Sequence, residues 1–354
     1  MNLLSGKGGC RLGSHRVIEP AGALPQSAWS LDPSPAAYPN EIVCDVEALN
    51  IDSASFRQIV EANGHDRERV IAHIAALVLE RGKHHNPVTG SGGMFIGRVR
   101  EIGSDLRDRV SVREGDRIAS LVSLTMTPLR LDRIEEVDLE TGRVWVRGSA
   151  VLFGPGGYTK LPDDIADQVA LAVLDVAGAP AQVRRLAEPG ATVAVFGADG
   201  KSGLLACAQA RGRVGAEGRV VGIAPRDDTP GARLLRDEGY VDAFLAADAR
   251  NAADVATALP GILPALADLT VNCVNVGGTE LSSILATREG GTVYFFSMCT
   301  SFTAAALGAE GLCKDVTMIV GNGYATGHAA TALQTLRDHP ALHRYFVERY
   351  GARS

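Results

Sequence analysis

Thr192-Val193-Ala194-Val195-Phe196-Gly197-Ala198-Asp199-Gly200-Lys201-Ser202-Gly203 is a short apolar run that enters a turn punctuated by glycines. An apolar helix, Leu204 to Ala210, leaves it. In such a strand–turn–helix unit, bare backbone can approach a pyrophosphate while the free amides of the helix N-terminus face its negative charge. The stretch therefore predicts a nicotinamide dinucleotide, NAD or NADP, held by Gly197, Ala198, Asp199, Gly200, Lys201, Ser202 and Gly203. A glycine-spaced turn has low specificity on its own, so the surrounding pattern has to support it.

From Pro189 onward the pattern is an alternation of strands and helices. Strands are expected at 191–196, 219–224, 243–247, 269–274, 292–296 and 316–320. Helices are expected at 201–211, 232–238 and 279–287. Strand, helix and strand repeated this often mean a parallel sheet covered on both faces. The first half reads differently. Strands are expected at 41–47 and 97–102, Gly115-Asp116-Arg117-Ile118-Ala119 is a turn feeding another, and 143–152 alternates like a hairpin arm. Among these, Val70, Ile71, Ile74, Leu77 and Val78 keep helical spacing, so the chain from Arg67 to Arg81 is an amphipathic helix. The stretch from Ala329 to Tyr350 is also helical in pattern.

A helix from Asp163 to Ala179 joins the halves, with Pro162 before it and Pro180 closing it. Its apolar run from Ala170 to Pro180 carries one charge, Asp175, a carboxylate that needs a cation or donor to offset desolvation.

The 354 residues suffice for two domains. An apolar share of 46%, a charged share of 21% and a net charge of −6 without a basic block fit a globular protein that does not bind nucleic acid. No stretch is long and apolar enough to span a bilayer, and the N-terminus lacks the plan of a secretion signal, so a cytoplasmic location is expected. Cys10, Cys44, Cys207, Cys273, Cys299 and Cys313 form no Cys-x-x-Cys pair and no zinc-spaced cluster with histidine; buried thiols are expected. His65, His84 and His85, flanking the first-half helix, are expected at the surface.

These segments together resemble the medium-chain dehydrogenase/reductase superfamily. The resemblance is carried by 41–52, by Gly97-Arg98-Val99 with Gly115-Asp116-Arg117-Ile118, and by Gly156-Gly157-Tyr158-Thr159-Lys160-Leu161-Pro162. It implies an α/β chain: a GroES-like β domain over 1–163, to which 330–354 returns, and a Rossmann doubly wound parallel-sheet domain over 164–329. It also implies a homodimer. A narrower resemblance, to a family of diamino acid dehydrogenases, rests on 13–20, 46–56, 86–94, 174–183, 272–275, 295–298, 306–311 and 321–324. It implies NAD(P)-dependent oxidative deamination of 3,5-diaminohexanoate to 5-amino-3-oxohexanoate and ammonia in lysine fermentation.

Against the zinc-dependent relatives the chain departs twice. Asp52 stands where they place a cysteine, and small residues at 89–93 stand where they place a His-Glu pair. No metal site is expected. Loss of hydride from a carbon bearing nitrogen develops positive charge, which carboxylates suit better than zinc does. Asp52, Asp175 and Glu310 are the candidate acids, Lys160, Arg16 or Lys314 the candidate partners of the substrate carboxylate, and His15 or a carboxylate the acceptor of the amine's proton. Arg226, after the strand at 219–224, is placed to meet a 2′-phosphate. With Lys201 it favours NADP or tolerance of both cofactors, while Asp227 and Asp228 pull toward NAD. Asn275, Ser297 and Met298 follow later strand ends, where nicotinamide should rest. A zinc-independent quinone or enoyl reductase and a non-catalytic dinucleotide-binding protein are the alternatives on the same fold.

Overall fold

The strands of the first half build an antiparallel sheet whose central members are buried on both faces over most of their length. The computed structural model describes residues 9–154, 157–321 and 323–351, so Gly156 and Asn322 of the resembling motifs and residues 352–354 lie outside the described residues. The chain divides into two compact units, one running to Leu171 and the other starting at Ala172.

In the first unit β1 (Val17–Glu19) and β2 (Ser30–Leu31) form a small antiparallel pair. There follow β3 (Glu41–Asn50), α1 (Ser53–Ala62), α2 (Arg67–Arg81), β4 (Met94–Ile102), β5 (Arg117–Ser120), β6 (Leu129–Asp138), β7 (Arg143–Phe153) and β8 (Tyr158–Lys160). Six of the described strands make one sheet in the order β6-β7-β3-β4-β5-β8. The central strand β3 pairs antiparallel with β4 and β7. Its register breaks between Val46 and Ala48 against both neighbours, leaving Glu47 outside both ladders. Such irregularities re-aim side chains and gather near functional sites.

Phe56, Ile59 and Val60 of α1 and Val70, Ile74 and Val78 of α2 share one core with Ile42, Leu49, Phe95 and Val144 of the sheet. The bounds of α2 match the expected 67–81. Asp66 caps its start, and Gly82 ends it at φ +61°, where a Cβ would lie 2.0 Å from the Leu31 carbonyl oxygen. Lys83 and His84 after it are buried and His85 is half-buried, which corrects the expectation of surface histidines there. Of the cysteines, Cys10, Cys44 and Cys207 are buried, Cys273 and Cys299 are half-buried, and Cys313 is exposed rather than buried.

The joining segment is two helices rather than one: α3 (Asp167–Leu174), within which the division into units falls, and α4 (Gly178–Leu186). Pro180 does not close a helix. It sits in the first turn of α4, where its missing N–H would have had no partner within the helix.

The second unit continues with β9 (Thr192–Phe196), α5 (Lys201–Val214), β10 (Arg219–Ala224), α6 (Pro230–Asp237), β11 (Ala243–Ala246) and α7 (Ala252–Ile262). After these come β12 (Ala267–Asn272), α8 (Glu280–Ala286), β13 (Thr287–Phe295), α9 (Phe302–Gly311), β14 (Thr317–Val320), α10 (His328–Asp338) and α11 (Pro340–Tyr350). The six described strands run parallel in the order β11-β10-β9-β12-β13-β14. This is the doubly wound order in which the chain reverses direction beside β9, and ligands bind at the carboxyl ends of strands at that reversal. The segment expected to return to the first domain does not leave the second unit: α10 packs on α4 and α5. Among the described residues no helix is long and apolar enough to cross a membrane.

Candidate active site

In the second unit the site begins where β9 ends. Gly197 has φ +70°, and a Cβ there would press on the Cys273 backbone after β12. A Cβ on Gly203 would lie 2.1 Å from the Gly197 carbonyl oxygen, so only glycine lets α5 start this close to the turn. Gly200 is the N-cap of α5 and supplies no side-chain cap, which leaves the first-turn amides of Lys201, Ser202 and Gly203 without one. Ala198 is buried and donates its N–H to the Ile223 carbonyl. Ser202 hydrogen-bonds the Cys273 thiol, which burial nonetheless pushes up to about 12. The turn and helix start fit a pyrophosphate.

The acid and the lysine singled out near this turn meet. Lys201 Nζ lies 2.8 Å from Asp175 Oδ2, with the two side chains 17% and 13% exposed, and Tyr350 presents its ring 5.8 Å from the ammonium. Asp175 thus has the cation that its apolar surroundings demanded. Asp199 accepts a hydrogen bond from Thr229, the N-cap of α6, at 3.0 Å. Arg226 is on the surface with its guanidinium closed on Asp228 by two 2.8 Å bonds, so its charge is already matched. Asn275 is exposed and its carbonyl accepts from the Cys299 thiol at 3.1 Å; Ser297 Oγ accepts from Cys299 N at 3.1 Å. These bonds tie together the loops that follow β12 and β13, with Met298 projecting at 74% exposure. Glu310, on α9, is exposed.

In the first unit, Asp52 caps α1: its Oδ1 accepts from Ser55 N at 3.0 Å, while Oδ2 is buried and unpartnered. A cap of this kind frees one carboxylate oxygen for other work. Beside it the 86–93 segment folds back onto α1. Ser55 Oγ hydrogen-bonds Thr89 Oγ1 and, at 2.7 Å, Ser91 Oγ; Thr89 and Ser91 are 3.1 Å apart. Asn86 donates to Gln58 Oε1 and accepts from Val88 N, which fixes the segment. Ser55, Thr89 and Ser91 were not legible as site residues, because 34 and 36 residues of sequence separate Ser55 from its partners. Among the described residues no group of three or more His, Cys, Asp and Glu side chains is placed to hold a metal ion.

The other candidates have partners of their own. His15 Nδ1 accepts from Cys10 N, so its Nε2–H donates to Glu41 at 2.7 Å. Burial works to raise the Glu41 carboxyl, but hydrogen bonds from Arg16 and His15 outweigh it and hold it below the ordinary range. Arg16 grips both oxygens of Glu41, at 2.9 and 2.6 Å. Lys160 pairs with Asp116 at 2.7 Å. Lys314 donates to the Ile284 and Leu285 carbonyls. Each cation expected to receive the substrate carboxylate is therefore engaged.

A family model described as the L-erythro-3,5-diaminohexanoate dehydrogenase N-terminal domain matches residues 15–162. A curated protein of that name from Acetoanaerobium sticklandii is 51% identical over 343 residues, 97% of this chain and 99% of that one. One from Fusobacterium nucleatum is 51% identical over 345 residues, again 97% and 99%. Among solved structures, a mycobacterial protein complexed with NADPH has a TM-score of 0.54 at 15% identity, covering 88% of this chain and 89% of that one. A quinone oxidoreductase from Coxiella burnetii has a TM-score of 0.53 at 15% identity, covering 89% of each. The two structures share the medium-chain dehydrogenase/reductase fold with this chain, and the curated relatives make it an oxidoreductase.

Proposed function

The chain belongs to the L-erythro-3,5-diaminohexanoate dehydrogenase family, and from that premise we propose that it oxidatively removes the C3 amino group of this diamino acid. The products are 5-amino-3-oxohexanoate and ammonia, a step of lysine breakdown. Full-length likeness to two curated relatives of that name carries the reading. Bound at 197–203, a nicotinamide dinucleotide supplies the hydride acceptor. NAD is preferred over NADP: the Arg226 charge is spent on Asp228, which leaves no free guanidinium at that position for a 2′-phosphate, while Asp199 stands near the end of β10 as an acid for a ribose hydroxyl.

The reacting amine has to be neutral before hydride can leave its carbon. Of the three candidate acids, Asp52 is the one with a buried, unpartnered oxygen, and Oδ2 accepts the proton shed by the C3 ammonium. The hydroxyls of Ser55, Thr89 and Ser91 offer lone pairs to the cationic nitrogens of the substrate. As hydride leaves C3 the nitrogen becomes an iminium; water adds to that carbon and ammonia departs with the nitrogen. No step requires a metal ion, and hydroxyls with a single carboxylate make a poor zinc set.

The reading extends to assembly. Among the described residues β14 ends the parallel sheet with one edge unpaired; Val320 on it is exposed, as are Phe302 and Leu307 of the preceding α9, and a second copy of the chain covers this edge. The direct test of function is spectrophotometric. Reduced cofactor should form with 3,5-diaminohexanoate and not with lysine or simple alcohols; a protein silent toward the diamino acid ends the proposal.

A further inference from the structure

With Lys160, Arg16 and Lys314 all engaged, the substrate carboxylate needs another cation. The first unit holds one that the sequence did not single out. Arg143 opens β7, is 5% exposed, and donates from Nη2 to the Gln168 carbonyl at 3.1 Å. Its Nε is buried with no partner. A guanidinium N–H left unmatched in the interior forfeits the hydrogen bond it had in water.

This group borders a cavity of about 110 Å³, whose lining includes Ala48, Ile96, Trp145 and Leu171 on the apolar side and Glu47, Arg117 and Asp167 on the polar side. The two acids do not compete for Arg143 by hydrogen bonding. Arg117 grips Glu47 at 2.6 and 3.0 Å and Asp167 at 2.7 Å. Arg98 lies 3.8 Å from Glu47 as well, so the two carboxylates are answered by two guanidinium groups other than Arg143. The Arg143 Nε–H on this wall is a buried donor without a partner. Trp145 lies against the Arg143 side chain, its ring centroid 5.8 Å from the guanidinium carbon.

Position connects the cavity to Asp52. Arg143 pairs in register with Asn50, the last residue of β3, and Ile51 N donates to the Gly142 carbonyl at 3.0 Å. Asp52 is the next residue. The cavity and the Asp52–Ser55 cluster therefore share one end of the sheet. The irregularity of β3 at Glu47, left outside both ladders, lies on the cavity wall.

The structure assigns Arg143 as the binding residue for the carboxylate of the amino acid substrate, with the methylene next to that carboxylate resting on Ala48 and Ile96. The assignment rests on the deamination reading above and deepens it. Charge-assisted bonds from a guanidinium to a carboxylate are shorter and about twice as strong as neutral ones, so a desolvated Arg–carboxylate contact separates an acid from its amide.

Steady-state kinetics on 3,5-diaminohexanoate and its carboxamide test the assignment, in the wild type, Arg143→Gln and Ala48→Leu. The wild type should prefer the acid. Arg143→Gln should raise KM for the acid by roughly 10- to 100-fold, change kcat less, and erase the preference over the amide. Because Arg143 also holds Gln168, Ala48→Leu provides a second arm that narrows the cavity while leaving the guanidinium in place; it should raise KM for the acid as well. An acid-to-amide ratio unchanged in Arg143→Gln, or a KM for the acid unchanged in Ala48→Leu, overturns the assignment. Calorimetric titration of 3-aminobutyrate into the full chain separates this claim from the reaction. If diaminohexanoate is not turned over but 3-aminobutyrate binds the wild type and not Arg143→Gln, the carboxylate site stands and the deamination fails. Equal 3-aminobutyrate binding by both proteins removes the site.

Discussion

Asp52 carries two roles on two oxygens, and substitution separates them. Asparagine caps helices as well as aspartate does, so Asp52→Asn should leave the unfolding free energy within about 0.5 kcal/mol while lowering kcat for diaminohexanoate at least tenfold. Asp52→Ala should lose the same activity and about 1 kcal/mol of stability besides, read by urea melts of both variants. His84 sets a pH dependence. Burial pushes its pKa from 6.5 down to about 4, so the imidazole is neutral in the fold across a range where the unfolded chain is protonated. Stability is full above pH 6.5 and falls as pH drops from 6.5 toward 4, by on the order of 3 kcal/mol for this histidine. Unfolding curves at pH 7, 5.5 and 4 should show the decline, and His84→Asn should lessen it, the remainder coming from His85, which burial also pushes down to about 4. At this scale the residues that needed partners were legible and the partners were not. The apolar run around Asp175 demanded a cation, but nothing local named Lys201, 26 residues on. The free donor of Arg143 exists only because the fold closes around it.

Among elements, the glycine turn was legible because its geometry is local. Gly203→Ala would push a methyl into the Gly197 carbonyl and should weaken dinucleotide binding more than tenfold by fluorescence titration. Gly212→Ala, later in α5 and facing open space, should bind normally and gain about 0.5–1 kcal/mol of stability. α2 was legible to the residue because its apolar spacing, cap and terminal glycine agree. α1 was not. Phe56, Ile59 and Val60 have helical spacing behind the Asp52 cap, but one short turn and a half of apolar residues is too brief a stripe to stand out among polar neighbours. α7 offers two buried apolar residues, Val255 and Leu259, among alanines, and α9 exposes Phe302 and Leu307, so neither repeats a clear apolar stripe. β6 hides behind charge: Arg130, Asp132, Arg133, Glu135 and Glu136 look like a loop and are held instead by pairing with β7, with Arg147 meeting Glu135 at 2.6 Å.

Over the whole molecule, the strand order of the second unit and the antiparallel sheet of the first were readable as a class, because alternation of elements dictates them. Where the chain ends was not, since the amphipathic pattern of α10 and α11 names a buried face without naming its cover. Sedimentation velocity at micromolar concentration should show a species of about twice the 37.1 kDa chain mass, and Val320→Asp on the outer strand should shift it toward monomer. Lys83 adds one consequence of its own. It is fully buried, with its ammonium on the Pro25 carbonyl at 2.8 Å, in a chain whose lysines are far outnumbered by arginines. Amine-directed reagents should acylate Lys160 within moments and spare Lys83 until the loop bearing Pro25 lifts away. Mass spectrometry of that single side chain would then clock how often the folded protein opens.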